Sequence, residues 1–328
     1  DGEDCLLIMD EAHRLKNSLG QRFKYLSNKK FKYVLPMSAT IIGNSYEELK
    51  AIYKLMNKKI PLKYGRLNLK ELKKDLIRIS SDKLNLPNLI IKEVPLEVEN
   101  YKEYLNLQNQ IYAEIKEDKE MALKSGKRPP NELVKLLRLN QYSSDRNIVM
   151  EKEIDFVESN KFKALMEILS DNTEEQFIVW SNFVPTVKNL NNSLSEYYDC
   201  KSIYGDIKQE DRDKILDDFR NKKFKILIAN PSTLNAGVTL VNATRMVYFD
   251  RDFSSIKYIQ SRGRFHRIGQ NKECVMYNLY YSNTIEEKII EILKLKESMI
   301  NEILESGQKV DDGLIKDLLK KDIYKGEI

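Results

Sequence analysis

The chain begins with two short apolar runs that each end in polar residues. Cys5–Met9 is followed by Asp10, and Tyr33–Met37 is followed by Ser38. Continuous apolar runs of this length, without polar alternation, are typical of buried parallel strands. Functional side chains collect where parallel strands end, so both runs are predicted to present chemistry at one edge of a sheet.

The next part of the chain has mainly helical patterns. An extended segment, Leu89–Val98, divides them into an earlier and a later pair. The predicted helices are Ser45–Met56, Leu69–Ile79, Tyr101–Leu123 and Glu132–Leu139. The last two are separated by a loop that contains Pro129 and Pro130.

From Lys161 onward, strand and helix patterns alternate. The predicted strands are Phe177–Ser181, Lys201–Tyr204, Phe224–Ala229, Met246–Asp250 and Val275–Tyr281. The predicted helices are Phe162–Leu169, Val187–Tyr197, Glu210–Arg220 and Ser254–Arg267. This alternation indicates a parallel sheet flanked by helices. Thr284 and Glu287 form a capping box that opens a last long helix, and a short tail helix is predicted over Gly313–Leu319.

Composition narrows the class of protein. A length of 328 residues, 41% of them hydrophobic, allows two domains with real cores. The net charge of +5, from 55 basic and 50 acidic residues, is too dilute to indicate a polybasic binder. Three distant cysteines and two histidines give no metal-ligand cluster, and no apolar run is long enough for a membrane span. The pattern favours a reduced, intracellular protein.

A basic segment, Gln260–Gln270, carries the first candidate chemistry. On a helix, Gln260, Arg264 and Arg267 share one face, which places two guanidiniums side by side. Guanidinium is planar, permanently charged and bidentate toward phosphate oxygens, so this face suits a polyphosphate. A solvated basic helix explains the same residues equally well. Gly263 within this helix indicates either a close backbone approach to a ligand or lobe, or simple packing.

The polar residues that follow the first predicted strand are a second candidate for catalytic chemistry. Asp10 and Glu11 lie at the predicted strand tip. One carboxylate there can hold the waters of a magnesium ion bound to nucleotide phosphates, and its neighbour can orient the attacking water. Adjacent acids are also common on protein surfaces, so these two residues alone do not establish a hydrolytic site.

Together these segments resemble motifs two, three and six of superfamily two helicases. The sequence DEAHRLKN at Asp10–Asn17 and HRIGQ at His266–Gln270 are similar to those of the Swi/Snf family of DNA translocases. The resemblance covers residues 1–292 and implies an α/β fold. That fold has two RecA-like lobes of the P-loop NTPase type with parallel sheets, the first one incomplete, and a helical insertion between them.

The resemblance also implies boundaries. Residues 1–98 would be the C-terminal part of the first lobe, and residues 99–158 a helical insertion and linker. Residues 159–292 would form the second lobe, and residues 293–328 a helical extension.

Roles in nucleotide hydrolysis follow from the same resemblance. Asp10 would bind Mg²⁺, and Glu11 would be the catalytic base. His13 would couple the site to Ser38 and Thr40 of motif three. Arg264 and Arg267 would be arginine fingers acting on ATP, with Gln260 and Gly237 among the nucleotide-binding residues.

Nucleic-acid contacts are expected along the outer edges of the lobes. The candidates are Ser181, Asn182, Thr233, Thr239 and Phe253. Hydroxyls, amides and backbone N–H groups bind phosphate oxygens without reading sequence, so we expect these contacts to be independent of sequence. The resemblance to DNA translocases implies that the DNA is double-stranded. Phe253 stands where the family usually has a tryptophan that leans on the duplex, although it could equally fill a core.

Departures from the family limit the resemblance. The chain contains no GxxxxGK[S/T] phosphate-binding loop, which the family places before Asp1. We therefore expect the chain to be part of a longer enzyme and to be inactive alone. Leu234 and Asn235 replace common glycines, which favours a bacterial, archaeal or viral branch and a cytoplasmic location, or a nuclear one if the source is eukaryotic. A strand-separating helicase and an ATPase-inert DNA- or protein-binding fragment stay open as alternatives.

Overall fold

The computed structural model describes residues 5–15, 17–38, 47–63, 66–77, 84–127, 129–130, 132–150, 154–234 and 237–305. These residues form two compact units. The first contains the described residues of Asp1–Lys83, Ser254–Gln260 and Ile292–Leu318, and the second those of Leu84–Phe253 and Ser261–Glu291. Predictions for Thr40, for Asn235 and for the tail helix lie outside the described residues.

A pair of parallel strands forms the centre of the first unit. Strand β1 (Leu6–Met9) pairs with β2 (Tyr33–Pro36) over their whole length. Helices α1 (Gln21–Ser27) and α2 (Glu47–Leu55) pack their apolar side chains on this pair. The unit also contains a short antiparallel pair, β3 (Leu62–Lys63) with β4 (Arg66–Leu67), and helix α3 (Leu69–Lys74).

Only one face of the β1–β2 pair is buried among the described residues. Met9 and Val34 pack against the helices, whereas Leu6 and Ile8 are 53% and 54% exposed. The prediction that both apolar runs are buried strands is therefore wrong for half of their side chains. Successive side chains of a strand point to opposite faces, and α1 and α2 cover one of them.

The second unit is built on a six-stranded parallel sheet in the order β5-β10-β9-β6-β8-β7. The strands are β5 (Leu89–Leu96), β6 (Phe177–Trp180), β7 (Cys200–Ile203), β8 (Ile226–Ala229), β9 (Arg245–Tyr248) and β10 (Cys274–Tyr281). Strands β6 and β8 are buried on both faces, as their unbroken apolar sequences require. The predicted α/β fold with parallel strands is confirmed.

Strand β5 lies outside the first unit, although the resemblance placed residues 1–98 in the first lobe. It pairs with β10 from Leu89 beside Cys274 to Leu96 beside Tyr281, and so belongs to the sheet of the second unit. An extended sequence pattern identifies a strand but not its partner, and this partner lies about 180 residues away.

Further helices lie between and after these strands in the chain. Their bounds are α4 (Tyr101–Ser125), α5 (Glu132–Ser144), α6 (Asn160–Ser170), α7 (Val184–Leu194), α8 (Gln209–Arg220), α9 (Ser255–Phe265) and α10 (Ile285–Glu305). Helices α6 and α7 pack on the sheet through Phe162, Leu165 and Leu190. None of the described helices combines the length and apolar composition that crossing a membrane requires.

Thr284 and Glu287 both accept hydrogen bonds at the start of α10, but they do not form the predicted capping box, in which Thr284 Oγ1 would accept from the Glu287 N–H and Glu287 from the Thr284 N–H. Thr284 Oγ1 accepts a hydrogen bond from the Glu286 N–H at 3.2 Å. The Glu287 carboxylate accepts from the N–H of Asn283, at 3.1 Å, rather than from that of Thr284.

Candidate functional site

The turn after β1 presents two carboxylates. Asp10 is exposed, and its Oδ1 accepts a hydrogen bond from the Glu11 N–H at 2.9 Å. Glu11 has a backbone φ of 52°, in the left-handed region that a non-glycine residue rarely adopts. Backbone strain of this kind is concentrated at functional sites, where the surrounding structure holds it in place.

Glu11, His13, Ser38 and Gln260 form one cluster within the first unit. The Glu11 Oε2 atom lies 3.1 Å from both His13 Nδ1 and Gln260 Nε2. His13 is buried, and its Nδ1 also lies 3.1 Å from Ser38 Oγ. The sequence predicted Glu11, His13 and Gln260 for the nucleotide site and Ser38 for coupling to it, and the structure brings these four together.

The backbone explains why the two strand ends meet at this cluster. Met37 N–H donates to Met9 O and Ala12 N–H donates to Met37 O, both at 2.8 Å. These bonds continue the β1–β2 ladder past both strands. Ser38 is consequently held beside His13, as a coupling role for these two residues requires.

Asp10 has the chemistry expected for Mg²⁺. The ion usually keeps several waters and binds through one or two carboxylates and substrate phosphates, which an exposed carboxylate at a strand tip can accommodate. Among the described residues, no group of three or more histidine, cysteine, aspartate or glutamate side chains forms a complete metal site. The exposed Asp10 carboxylate fits an ion that a nucleotide would also hold.

Arg264 has partners that the sequence did not predict. It is buried, its Nη2 donates to Leu234 O at 3.0 Å, and its backbone O accepts from the Leu240 N–H at 2.9 Å. These bonds connect α9 to the loop between β8 and β9. Gly237 lies in that loop with a φ of 88°, a conformation that favours glycine.

Helix α9 is shorter than predicted. It ends at Phe265, so Arg267 follows the helix rather than sharing its face with Gln260 and Arg264. Gly263 is exposed, and a Cβ placed there would contact nothing within 4 Å in the described chain. The packing explanation for Gly263 is therefore wrong. His266 Nε2 lies 2.7 Å from Pro87 O, so this histidine is held by a polar contact.

The predicted nucleic-acid residues differ in accessibility. Asn182, Thr233, Thr239 and Phe253 are partly exposed. Ser181 is fully buried, and its hydroxyl donates to Asp250 Oδ2 at 2.5 Å. A direct DNA contact by the Ser181 side chain is therefore a wrong prediction, because that hydroxyl already serves a buried carboxylate.

Asp250 is a polar centre that sequence reasoning missed. This fully buried carboxylate accepts hydrogen bonds from Ser181, from Ser144 Oγ at 2.7 Å and from the Asn182 N–H at 2.8 Å. A charged residue at the end of an apolar strand was visible in the sequence, and that position was the available signal.

Comparison with known proteins points to helicase-like proteins. Residues 160–269 match the family described as the helicase conserved C-terminal domain. The chain is similar to the DNA repair and recombination protein RDH54 of Saccharomyces cerevisiae, at 30% identity over 51% of the chain and 19% of the yeast protein.

A bacterial relative matches over more of the chain. An uncharacterized ATP-dependent helicase of Bacillus subtilis, YqhH, is 24% identical over 95% of this chain and 61% of its own length. The chain therefore spans only part of each of these relatives.

Two solved structures show the same fold. One is the SWI2/SNF2 ATPase core of Sulfolobus solfataricus in complex with dsDNA, with a TM-score of 0.55 and 24% identity over 98% of this chain and 72% of that one. The other is the C-terminal part of the Fun30 ATPase domain, with a TM-score of 0.51 and 19% identity over 74% and 98% of the two chains.

Proposed function

We propose that this chain belongs to an ATP-dependent motor that moves along double-stranded DNA. The observation that carries the proposal is the cluster of Glu11, His13, Ser38 and Gln260. A surface acid would have no need of a strained backbone, a buried histidine and an amide directed at the same carboxylate oxygen. A base that orients a water for attack on a phosphate needs such fixed neighbours.

The hydrolytic roles follow from chemistry and position. Glu11 orients and deprotonates the attacking water, and Gln260 and His13 hold the Glu11 carboxylate in place. Asp10 would hold Mg²⁺, and the bound ion would neutralise charge on the phosphates. Arg264 and Arg267 supply guanidinium charge to the transferring phosphoryl group.

DNA is the proposed track. The relatives support it, since the yeast protein is named for DNA repair and recombination and the archaeal core was solved with dsDNA. Asn182, Thr233 and Thr239 are partly exposed. The Asn182 amide donates to Asp250 at 3.2 and 3.4 Å and the Thr233 hydroxyl donates to Asn230 O at 2.8 Å, so these two groups would exchange these bonds for bonds to phosphate oxygens when DNA binds. Contacts of this kind bind without reading sequence, as a moving enzyme requires.

ATP turnover by the complete polypeptide should be stimulated by double-stranded DNA of any sequence. The apparent DNA affinity should fall as salt rises, because phosphate contacts release counterions. A phosphate-release assay with duplex, single-stranded and no DNA measures this. Absence of stimulation by any nucleic acid would refute the proposal, and displacement of a strand from a forked duplex would indicate a strand-separating helicase instead.

The 328-residue chain alone should not hydrolyse ATP at a rate above background. It has the proposed carboxylates and arginines but no GxxxxGK[S/T] sequence whose backbone N–H groups and lysine would cradle the phosphates. The same phosphate-release assay on the isolated chain checks this. DNA-stimulated turnover by the isolated chain would show that other residues hold the phosphates.

A further inference from the structure

The order of the strands in the second unit brings the loops that carry the proposed DNA contacts next to one another. Strands β9, β6, β8 and β7 are consecutive neighbours in the parallel sheet. The loops that follow them therefore meet along one side, which we call the carboxyl edge. Asn182 and Thr233, two of the proposed phosphate contacts, follow β6 and β8 on this edge.

Asn230 connects two of these loops through a single buried side chain. Its Nδ2 donates to Asn182 O at 2.7 Å, and its Oδ1 accepts from the Ser232 N–H at 2.9 Å. Its backbone O accepts from both the N–H and the hydroxyl of Thr233, at 3.0 and 2.8 Å. The Asn230 side chain thus fixes the turn that carries Thr233 and ties it to Asn182.

Asp250 and Arg212 continue this connection on both sides. Asp250 Oδ1 accepts from the backbone N–H of Asn182, so Asn182 is held at its N–H by β9 and at its carbonyl by β8. Arg212 donates to Thr233 O at 3.3 Å and to Gly205 O at 2.7 Å, which joins the loops after β8 and β7. Hydrogen bonds therefore run along the carboxyl edge from one loop to the next.

We infer that Asn230 is a positioning residue for DNA binding, acting through Asn182 and Thr233. This inference rests on the proposed function. Asn230 is itself buried and does not need to contact DNA. Its hydrogen bonds fix the spacing of the two loops before DNA binds. Less conformational entropy is then lost when the loops contact phosphates.

The test uses two substitutions that retain an acceptor for the turn but remove the bridging amide, Asn230→Asp and Asn230→Ser. Each should weaken binding of the complete polypeptide to a fluorescent 30-base-pair duplex by about tenfold, the effect of losing one well-placed hydrogen bond. The ATPase rate without DNA should stay unchanged. The half-saturating DNA concentration for stimulation should rise by the same factor, while the rate at saturating DNA is retained.

Asn242→Asp is the matched control. Asn242 is half-buried, and its amide also donates to a backbone carbonyl, that of Phe219, at 3.1 Å. It precedes β9, at the opposite end of the strands from the carboxyl edge. A general loss of stability should lower the melting temperature in the Asn242 and Asn230 variants alike, but only the Asn230 variants should lose DNA affinity.

The outcomes separate the inference from the proposed function. If the unsubstituted protein binds no DNA, the proposed function fails and the inference with it. If it binds DNA and the Asn230 variants bind equally well, or no more weakly than Asn242→Asp, the inference alone is overturned. Should Asn230→Asp fail to fold because its carboxylate faces the Asn182 carbonyl, Asn230→Ser decides.

Discussion

Replacing Glu11 with glutamine should lower ATP turnover of the complete polypeptide by about a hundredfold to ten-thousandfold, the usual contribution of a general base. Glutamine has the shape of glutamate and can still accept the hydrogen bond from Gln260 Nε2. It cannot take a proton from water. ATP affinity, measured with a fluorescent nucleotide, should stay within about twofold, because the substitution leaves Asp10 and the arginines in place.

Glu71→Gln is the control for this experiment. Glu71 also lies in the first unit, but it is half-exposed and pairs with Lys74 on the surface of α3. Its substitution should leave turnover and ATP affinity unchanged. Normal turnover by Glu11→Gln would remove this residue from the mechanism, and an equal loss of ATP binding would assign it a role in holding the nucleotide instead.

The fold could be predicted from the sequence wherever the pattern was local. The run Phe177–Trp180 is apolar at every position, and the structure buries all of it on both faces of the sheet. Boundaries were less accurate, because helix ends depend on contacts rather than on periodicity. Helix α9 ends at Phe265, two residues before the predicted end, and this removes Arg267 from the helical face.

The candidate site was predictable where its residues follow one another in the sequence. Asp10, Glu11 and His13 lie in one short segment, and the strand ending before Ser38 was recognisable. Gln260 was expected in the nucleotide site from its helical spacing to Arg264 and from the resemblance, and the structure gives it contact with Glu11. The partners of Arg264 and Asp250 were missed, because hydrogen bonds between loops leave no periodic trace in the chain.

A buried ion pair lies near the start of α6 in the second unit. Lys161 and Glu286 are 0% and 3% exposed, and Lys161 Nζ lies 2.5 Å from Glu286 Oε1. The ammonium also lies 5.0 Å from the ring centroid of Tyr281, whose N–H donates to Glu286 Oε2 at 2.9 Å. The pair thus joins α6, the end of β10 and the first turn of α10.

Lys161→Met should lower the free energy of unfolding by about 3–5 kcal/mol, because it leaves the Glu286 carboxylate buried without its counter-ion. The double variant Lys161→Met with Glu286→Gln should recover most of this loss. Glutamine carries no charge and can still accept from the Tyr281 N–H. Urea unfolding with the slope compared between variants measures the effect.

The control lies in the same helix. Lys163 pairs with Glu158 at 2.7 Å, but both side chains are more than half exposed, so Lys163→Met should cost less than about 1 kcal/mol. Equal effects of Lys163→Met and Lys161→Met would contradict a special role for burial. A double variant no more stable than Lys161→Met would mean that the methionine itself, rather than the unpaired carboxylate, causes the loss.

The destabilisation of Lys161→Met should also depend on pH. Burial raises the pKa of the Glu286 carboxyl above its ordinary value, and the neighbouring ammonium of Lys161 partly opposes this effect. Without Lys161 the folded protein favours the neutral acid more strongly. Because the pKa of this carboxyl is raised in the folded state, its contribution to the free energy of unfolding is fully present below the unfolded pKa of about 4.3. That contribution is lost as pH rises through the folded-state pKa. Lys161→Met should therefore be closer in stability to the unsubstituted protein at pH 4 than at pH 8, and an equal deficit at both values would show that Glu286 does not titrate in the folded variant.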